Sequence, residues 1–386
     1  MSKQNKNQNI RTALTTVGRD TKDQKGFINP PIYKGSTVLF EDVAALKANN
    51  ATYTYGRHAT PTSRAFCDAM TELECGDDTL LTESGTAAVI LVLHTFAKQG
   101  THFLITDNVY APVRLSLEAV FKKYGVEVTY YDPHIGSDIE KLITEKTSLI
   151  LCETPGSLSM ELHDLPAITK VANKANIPVA VDNTWATPLF LQPLKLGADI
   201  TIHAGAKYIL GHSDGFIGSV TANEKYFKRI YQTRRHLGYC ASSDEAHMAL
   251  RGLRTLAIRM DQHMKTGLLL ARWFEEQDYV DRVIHPALPS HPDHDIWKRD
   301  FSGAGGLFSV IFKSEVDATL DHVLNNLTYF GLGFSYGGYE SLAMTFDPSN
   351  IRTATRWNEG PAVRFYTGLE SQSDLLADIE TNFSTL

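Results

Sequence analysis

The sequence predicts an α/β protein. A mostly parallel sheet covered by helices is preceded by an extended N-terminal arm and followed by a smaller α+β region. Three observations lead there. From about residue 60 to about residue 250, apolar runs of strand length alternate with segments of helix length, the pattern of successive βαβ units in a sheet covered on both faces. Beyond Arg251 that alternation stops, and a long helix is followed by separate strand-like runs. The first fifty or so residues have weak periodicity and several turn formers ("FINPPIYKGST"). The expected division is an arm over 1–58, a large α/β domain over 59–252 and an α+β domain over 253–386.

The elements read in order as follows. "SGTAAVILVLHTFAKQG" is a helix ended by Gly100, and "HFLITD" is a strand. Helix "APVRLSLEAVFKKYG", strand "VEVTYYD", helix "SDIEKLITEK" and strand "SLILCE" come next. Helix "LPAITKVANKAN" leads to strand "PVAVDN", and "ADITIHA" and "GFIGSVT" are further strands. Past Arg251 the long helix is "TLAIRMDQHMKTGLLLARWFEEQ", with strands "GGLFSVIFK" and "AVRFYTG" beyond it. In such a sheet ligands bind beyond the carboxyl ends of the strands, so chemistry is expected there.

Composition narrows the function classes. The 386 residues are 43% hydrophobic, enough for a large core in about two or three domains. A formal net charge of −7 argues against a nucleic-acid or anionic-membrane partner. The most basic stretch, "KYFKRIYQTRRH" from Lys225, reads as a solvated helix face. Four cysteines (Cys67, Cys75, Cys152 and Cys240) have no CxxC spacing and read as reduced thiols. The polar N-terminus has no hydrophobic signal region, and the longest apolar run, Ala87–Leu93, is too short to span a bilayer. The expectation is a cytoplasmic protein.

Three features fall at the predicted strand ends. Ser84, Gly85 and Thr86 open a helix, whose first N–H groups are free to meet an anion such as phosphate; the same composition also suits an ordinary N-cap. Asp182 ends an apolar strand, where a lone carboxylate is costly unless paired. It either starts the turn or is held ionised against a cationic ring nitrogen, as pyridoxal phosphate requires. Lys207 follows the next strand among Ala204, Gly205, Ala206 and Tyr208, with no acidic neighbour in sequence. That setting suits an amine held partly desolvated beside a cofactor. No G-x-G-x-x-G follows a strand and opens a helix, which excludes a dinucleotide fingerprint. "HPALPSHPDHD" carries His285, His291 and His294, but its prolines prevent a helical ligand face and it reads as a loop, with no metal site expected.

Several separated motifs resemble the Cys/Met-metabolism family of fold-type I pyridoxal-phosphate enzymes over nearly the whole chain. They are "YGR" at Tyr55, "SGTAA" at Ser84, "DNTWA" at Asp182, "KYILGHSD" at Lys207, "RGLRTL" at Arg251 and "GGYESL" at Gly337. "ETPGSLSMELHD", Trp185 and Tyr336 resemble the β-lyase branch more than the γ-lyase or γ-synthase branches. The resemblance implies a fold-type I PLP-transferase-like architecture, with pyridoxal 5'-phosphate as cofactor. Lys207 would carry the cofactor covalently and then move the substrate proton. Asp182 would hold the ring nitrogen protonated, and Tyr110 would stack on the ring and belong to the catalytic set. Gly85 and Thr86 would bind phosphate. Tyr55 and Arg57 would reach the phosphate of a neighbouring subunit's cofactor, in a homotetramer of site-sharing dimers. Arg364 would grip the substrate α-carboxylate, assisted by Ser335, with Tyr336 and Tyr55 also lining the substrate.

The implied reaction is β-elimination of cystathionine to homocysteine, pyruvate and ammonia. A γ-lyase, a broad cysteine-conjugate lyase, or a non-catalytic cofactor-binding regulator are the alternatives on this scaffold. Some positions depart from the family. Ala206 stands where a Thr hydroxyl usually supports the phosphate, a bond to a charged group worth roughly 1.5–3 kcal/mol. Ala204 replaces a common Ser, Tyr336 replaces a Trp of some β-lyases, and Arg235 falls where some carry Tyr.

Overall fold

A computed structural model describes residues 8–386, in which the chain forms two β-sheets. The first contains β1 (Asp78–Thr82), β2 (His102–Thr106), β3 (Glu127–Tyr131), β4 (Thr147–Glu153), β5 (Val179–Asp182), β6 (Ile200–Ala204) and β7 (Gly218–Ala222). Its order is β1-β7-β6-β5-β4-β2-β3. All neighbours run parallel except β7, which is antiparallel to both β1 and β6. Side chains alternate across this sheet into two cores. Leu104, Ile150, Val179 and Val181 enter one core, while Phe103, Ile105, Leu149, Leu151, Ala180 and Ile202 enter the other. Both faces are therefore covered, as the continuous apolar strands require.

The second sheet contains β8 (Val280–Ile284), β9 (Leu307–Phe312), β10 (Phe330–Leu332), β11 (Ser341–Thr345) and β12 (Ala362–Tyr366), in the order β10-β11-β12-β9-β8. Only β10 and β11 pair in parallel. Val363 and Phe365 face a core that includes Phe274, Phe308 and Phe383, from the helices Leu256–Glu275 and Gln372–Phe383 and from β9. Ala362 and Tyr366 face the other way, into the core shared with the large sheet. Strand periodicity therefore turns Arg364 toward the large sheet as well.

Several elements differ from the sequence reading. Helix Pro61–Glu74 and strand β1 are additional to the predicted elements. The helix starts at a capping box in which Thr60 and Ser63 satisfy each other, with Pro61 at its first position; Phe66, Met70 and Leu73 form its buried stripe. The helix after Ser84 ends at Phe96, short of Gly100. "SDIEKLITEK" forms a 3₁₀ segment, Gly136–Leu142, instead of an α-helix. Helix Ala111–Ser116 continues through a π turn and a 3₁₀ turn to Tyr124. The arm, whose first seven residues lie outside the described region, carries helices Ile10–Thr16 and Val43–Ala48. Leu14 and Val17 are buried in the main core, whereas Phe27, Leu39 and Val43 are exposed.

The basic stretch forms helix Glu224–Leu237. Lys225, Lys228, Arg229 and Arg235 are solvated as expected, but Arg234 is buried. Its guanidinium donates to the carbonyls of Leu81 (2.7 Å), His58 (3.1 Å) and Arg57 (3.4 Å), so it pins the end of the arm to β1. Among the described residues no helix is long and apolar enough to cross a membrane.

Candidate active site

The parallel strands β4, β5 and β6 end together, and Glu153 of β4 is paired in register with Asp182 of β5. The Asp182 Oδ1 atom accepts from the Thr184 backbone N–H (3.0 Å) and hydroxyl (2.5 Å). Thr184 is held in turn by the Ala204 N–H at the end of β6 (2.9 Å). This chain fixes the carboxylate and commits one oxygen, while no described donor meets Oδ2. Burial pushes the Asp182 carboxyl above the ordinary aspartate value, against the Thr184 hydrogen bonds and the charges of His203 and Lys207. Burial raises Glu153 strongly too, with Asp182 adding to the rise. Each carboxyl opposes ionisation of the other. A cationic ring nitrogen at Oδ2 would favour the ionised form of Asp182.

Lys207 lies in the turn after β6, its N–H donating to the Ala204 carbonyl (3.1 Å). The amine donates to the Ser335 hydroxyl and lies 5.1 Å from the centroid of the Tyr336 ring. Burial and the Arg364 charge lower its pKa to about 8, with Asp182 opposing. A lysine so placed is a usable nucleophile and base near neutral pH. Gly337 (φ +91°) packs directly on this turn: a Cβ there would stand 2.6 Å from the Lys207 carbonyl carbon.

Ser335 has φ +88°, unusual for a residue with a side chain. It is held from both sides, its hydroxyl by Lys207 and its carbonyl by Arg364 Nη2 (2.9 Å). Arg364 is only 8% exposed and forms no ion pair with an acid among the described residues. Burial lowers its pKa. A buried guanidinium without a counter-anion is costly on its own and is arranged to receive one. Tyr336 closes this side, packed on Tyr208 and Tyr366.

Tyr110 caps helix Ala111–Ser116 and leaves its side chain half exposed at the strand ends. Its N–H donates to Glu153 Oε2 (2.7 Å), which explains why it stands beside Asp182 and Arg364. Glu153 and Thr184 are thus site residues that sequence reading missed; an acid ending a buried apolar strand, the signal used for Asp182, also marks Glu153.

Ser84 caps the helix beginning at Gly85, its side chain taking the Ala87 N–H (3.1 Å) and its carbonyl the Ala88 N–H (3.0 Å). The Gly85 and Thr86 N–H groups have no described acceptor. A Cβ on Gly85 would stand 2.2 Å from that of Ala204, so glycine lets this helix start lie against the end of β6. Free N–H groups, the open Asp182 oxygen, the Lys207 amine and the Tyr110 ring fit a phosphorylated pyridine aldehyde. Tyr55 packs on His58, and neither it nor Arg57 has a described hydrogen bond to this set. Arg57 donates to the Arg235 carbonyl (3.1 Å), and Arg57 lines a separate cleft of about 560 Å³ with Arg234 and Tyr231. Trp185 is a core residue, donating to the Leu307 carbonyl (3.4 Å) and packed on His285 and Phe301.

Residues 11–384 match the family described as Cys/Met metabolism PLP-dependent enzymes. The chain is 36% identical to "Cystathionine beta-lyase MetC" of Escherichia coli, covering 97% of this chain and 98% of that protein. It is 37% identical to "L-alanine/L-glutamate racemase" of Wolbachia pipientis, covering 97% and 96%. The crystal structure of metB from Corynebacterium glutamicum superposes with a TM-score of 0.91 at 31% identity, covering 98% of this chain and 99% of that one.

Proposed function

Because the chain belongs to the Cys/Met-metabolism family of pyridoxal-phosphate-dependent enzymes, we propose that it is a carbon–sulfur lyase that cleaves L-cystathionine by β-elimination. The observation that carries the reading is the buried Arg364, without an acidic partner among the described residues, beside Lys207 and Ser335, which suits an amino-acid carboxylate next to a base. The bound cofactor supplies an electron sink for negative charge at Cα. Arg364 holds the α-carboxylate and so fixes Cα over the Lys207 amine. Lys207, steered by Ser335, removes the Cα proton and returns it to the departing sulfur as the Cβ–S bond breaks. Asp182 would hold the cofactor's ring nitrogen in its positive form, Gly85 and Thr86 would hold its phosphate, and Tyr110 would pack on its ring. Tyr336 narrows the substrate side. The products are homocysteine and, after hydrolysis by water, pyruvate and ammonia.

The same proposal includes a homotetramer in which the arm, residues 1–58, brings Tyr55 and Arg57 to a neighbouring subunit's site. The apolar residues exposed on the arm favour such burial. The division of the rest at 252/253, a cytoplasmic location and a place in methionine biosynthesis go with it; the four unpaired cysteines agree with a reducing compartment.

Keto-acid identification from cystathionine is the test. Pyruvate with homocysteine is expected; 2-oxobutyrate would point to a γ-lyase, and turnover of other cysteine conjugates alone to a broad β-lyase. No turnover of any thioether would favour a non-catalytic cofactor-binding role. The racemase relative favours a second reading, racemisation of an amino acid at Cα. Chiral analysis of L-alanine and L-glutamate after incubation decides it.

A further inference from the structure

Every group that handles substrate comes from one of two sheets. Lys207, Asp182 and Tyr110 belong to the large sheet and its loops, while Arg364 and Ser335 belong to the small one. Their alignment depends on what ties the sheets together at the site. The connection between β11 and β12, residues 346–361, leaves the small sheet, reaches the loop bearing Tyr110, and returns to the strand bearing Arg364.

Asp107, immediately after β2, makes that contact. Its buried carboxylate accepts the consecutive N–H groups of Thr353 (3.0 Å), Ala354 (3.0 Å) and Thr355 (2.9 Å), and the Thr355 hydroxyl (2.9 Å). Arg114 Nη2 adds a 2.5 Å ion pair from the large-sheet side. Three successive N–H groups converging on one anion form a nest. Burial alone would raise this carboxyl, but the Thr353 and Thr355 donors and Arg114 hold it below the ordinary aspartate value. A second fastening lies beside it: Arg352 pairs with Glu161 (2.6 Å) and donates to Ser159 (2.9 Å), and Glu161 accepts from Asn108 (3.3 Å). Thr353 and Ala354 are themselves exposed, so polar capture, not apolar packing, holds them.

We propose that Asp107 is a positioning residue: by strapping residues 353–355 to the Tyr110 loop it sets where Arg364 stands relative to Tyr110, and hence how tightly the substrate carboxylate is gripped. The inference rests on the reading of Arg364 as the carboxylate grip. Asp107→Asn replaces one acceptor oxygen by an NH₂ facing N–H donors, which opens the nest; Asp107→Gly leaves the nest vacant for an added anion.

The test uses the cofactor-loaded protein. Amide exchange at Thr353–Thr355 reads the strap, glycine affinity from the cofactor's absorbance reads the carboxylate grip, and cofactor affinity reads the rest of the site. In Asp107→Asn we expect at least tenfold faster exchange, tryptic cleavage after Arg352 or Arg356, and at least tenfold weaker glycine binding, with cofactor affinity within threefold of the parent. Millimolar formate should restore slow exchange at Thr353–Thr355 to Asp107→Gly. Unchanged exchange, or faster exchange with unchanged glycine affinity, overturns the proposal. If neither Asp107 variant folds, Arg352→Gln, which loosens the second fastening, should show the same pairing of effects to a smaller extent, and glycine affinity equal to the parent there would overturn it. Failure of the Arg364 reading is separable, because Arg364→Met would then bind glycine as the parent does whatever the exchange rates show.

Discussion

Replacing Arg364 by Met should separate binding from stability in opposite directions. The guanidinium is buried, donates one hydrogen bond to the Ser335 carbonyl, and has no acidic partner among the described residues. With substrate present it becomes half of a buried, hydrogen-bonded charge pair. Removing one member of such a pair costs about 2–5 kcal/mol. At about 1.36 kcal/mol per tenfold, kcat/KM for cystathionine should fall roughly thirtyfold to several-thousandfold. The free protein behaves differently, because it holds an uncompensated cation whose desolvation is unfavourable. Methionine fills similar volume without that charge, so the melting temperature should stay the same or rise. Thiol release and coupled pyruvate detection give kcat/KM, and calorimetry at matched cofactor saturation gives Tm. A loss below tenfold, or a Tm several degrees lower with kcat/KM intact, would refute the reasoning.

Other outcomes follow from the same geometry. Lys207 has its amine lowered to about 8 from the ordinary 10.5, so cofactor capture by the cofactor-free protein should rise through about pH 8, and an inflection near 10.5 would contradict this. Between those values the unfolded chain binds more protons than the folded one, so the cofactor-free protein should gain stability with rising pH, and Lys207→Met should remove that gain. Gly337→Ala forces a Cβ against the Lys207 backbone at a positive φ; cofactor affinity should drop at least tenfold, and parental affinity would show that the turn yields freely. Ala206→Thr introduces the hydroxyl that the family resemblance assigns to the phosphate; a bond worth roughly 1.5–3 kcal/mol should slow cofactor dissociation tenfold or more, and an unchanged off-rate would show that the hydroxyl does not reach.

Much of the fold was legible because buried parallel strands and their crossover helices leave local patterns. Runs such as "HFLIT" and "PVAVD" announce strands without any knowledge of partners. Helix Pro61–Glu74 carries local signals, its capping box and buried stripe, that the reading passed over; other misses are non-local or short. Strand β1 is five residues, two of them buried threonines, and Thr79 is satisfied by Thr71 of helix Pro61–Glu74 and by Thr221 of β7, which is 142 residues away in sequence. Arg234 looked solvated because its three carbonyl acceptors lie more than a hundred residues away. At the site, Lys207 and Asp182 stood out because each is out of place in apolar surroundings. Glu153 and Asp107 end buried strands in the same way. What raised Asp182 above them was a suggested partner, a ring nitrogen; the partners of the other two, Asp182 itself and the N–H groups of residues 353–355, are fixed by register and by a returning loop.

The Lys207 amine and the Asp182 carboxylate are proposed to serve one pyridoxal phosphate. Borohydride reduction of the cofactor-loaded protein, followed by peptide mapping, tests it most directly. A pyridoxyl adduct on Lys207, absent in Lys207→Ala and formed with a displaced absorbance maximum in Asp182→Asn, is the predicted result. An adduct on a different lysine, or an Asp182→Asn spectrum identical to the parent, would contradict the account.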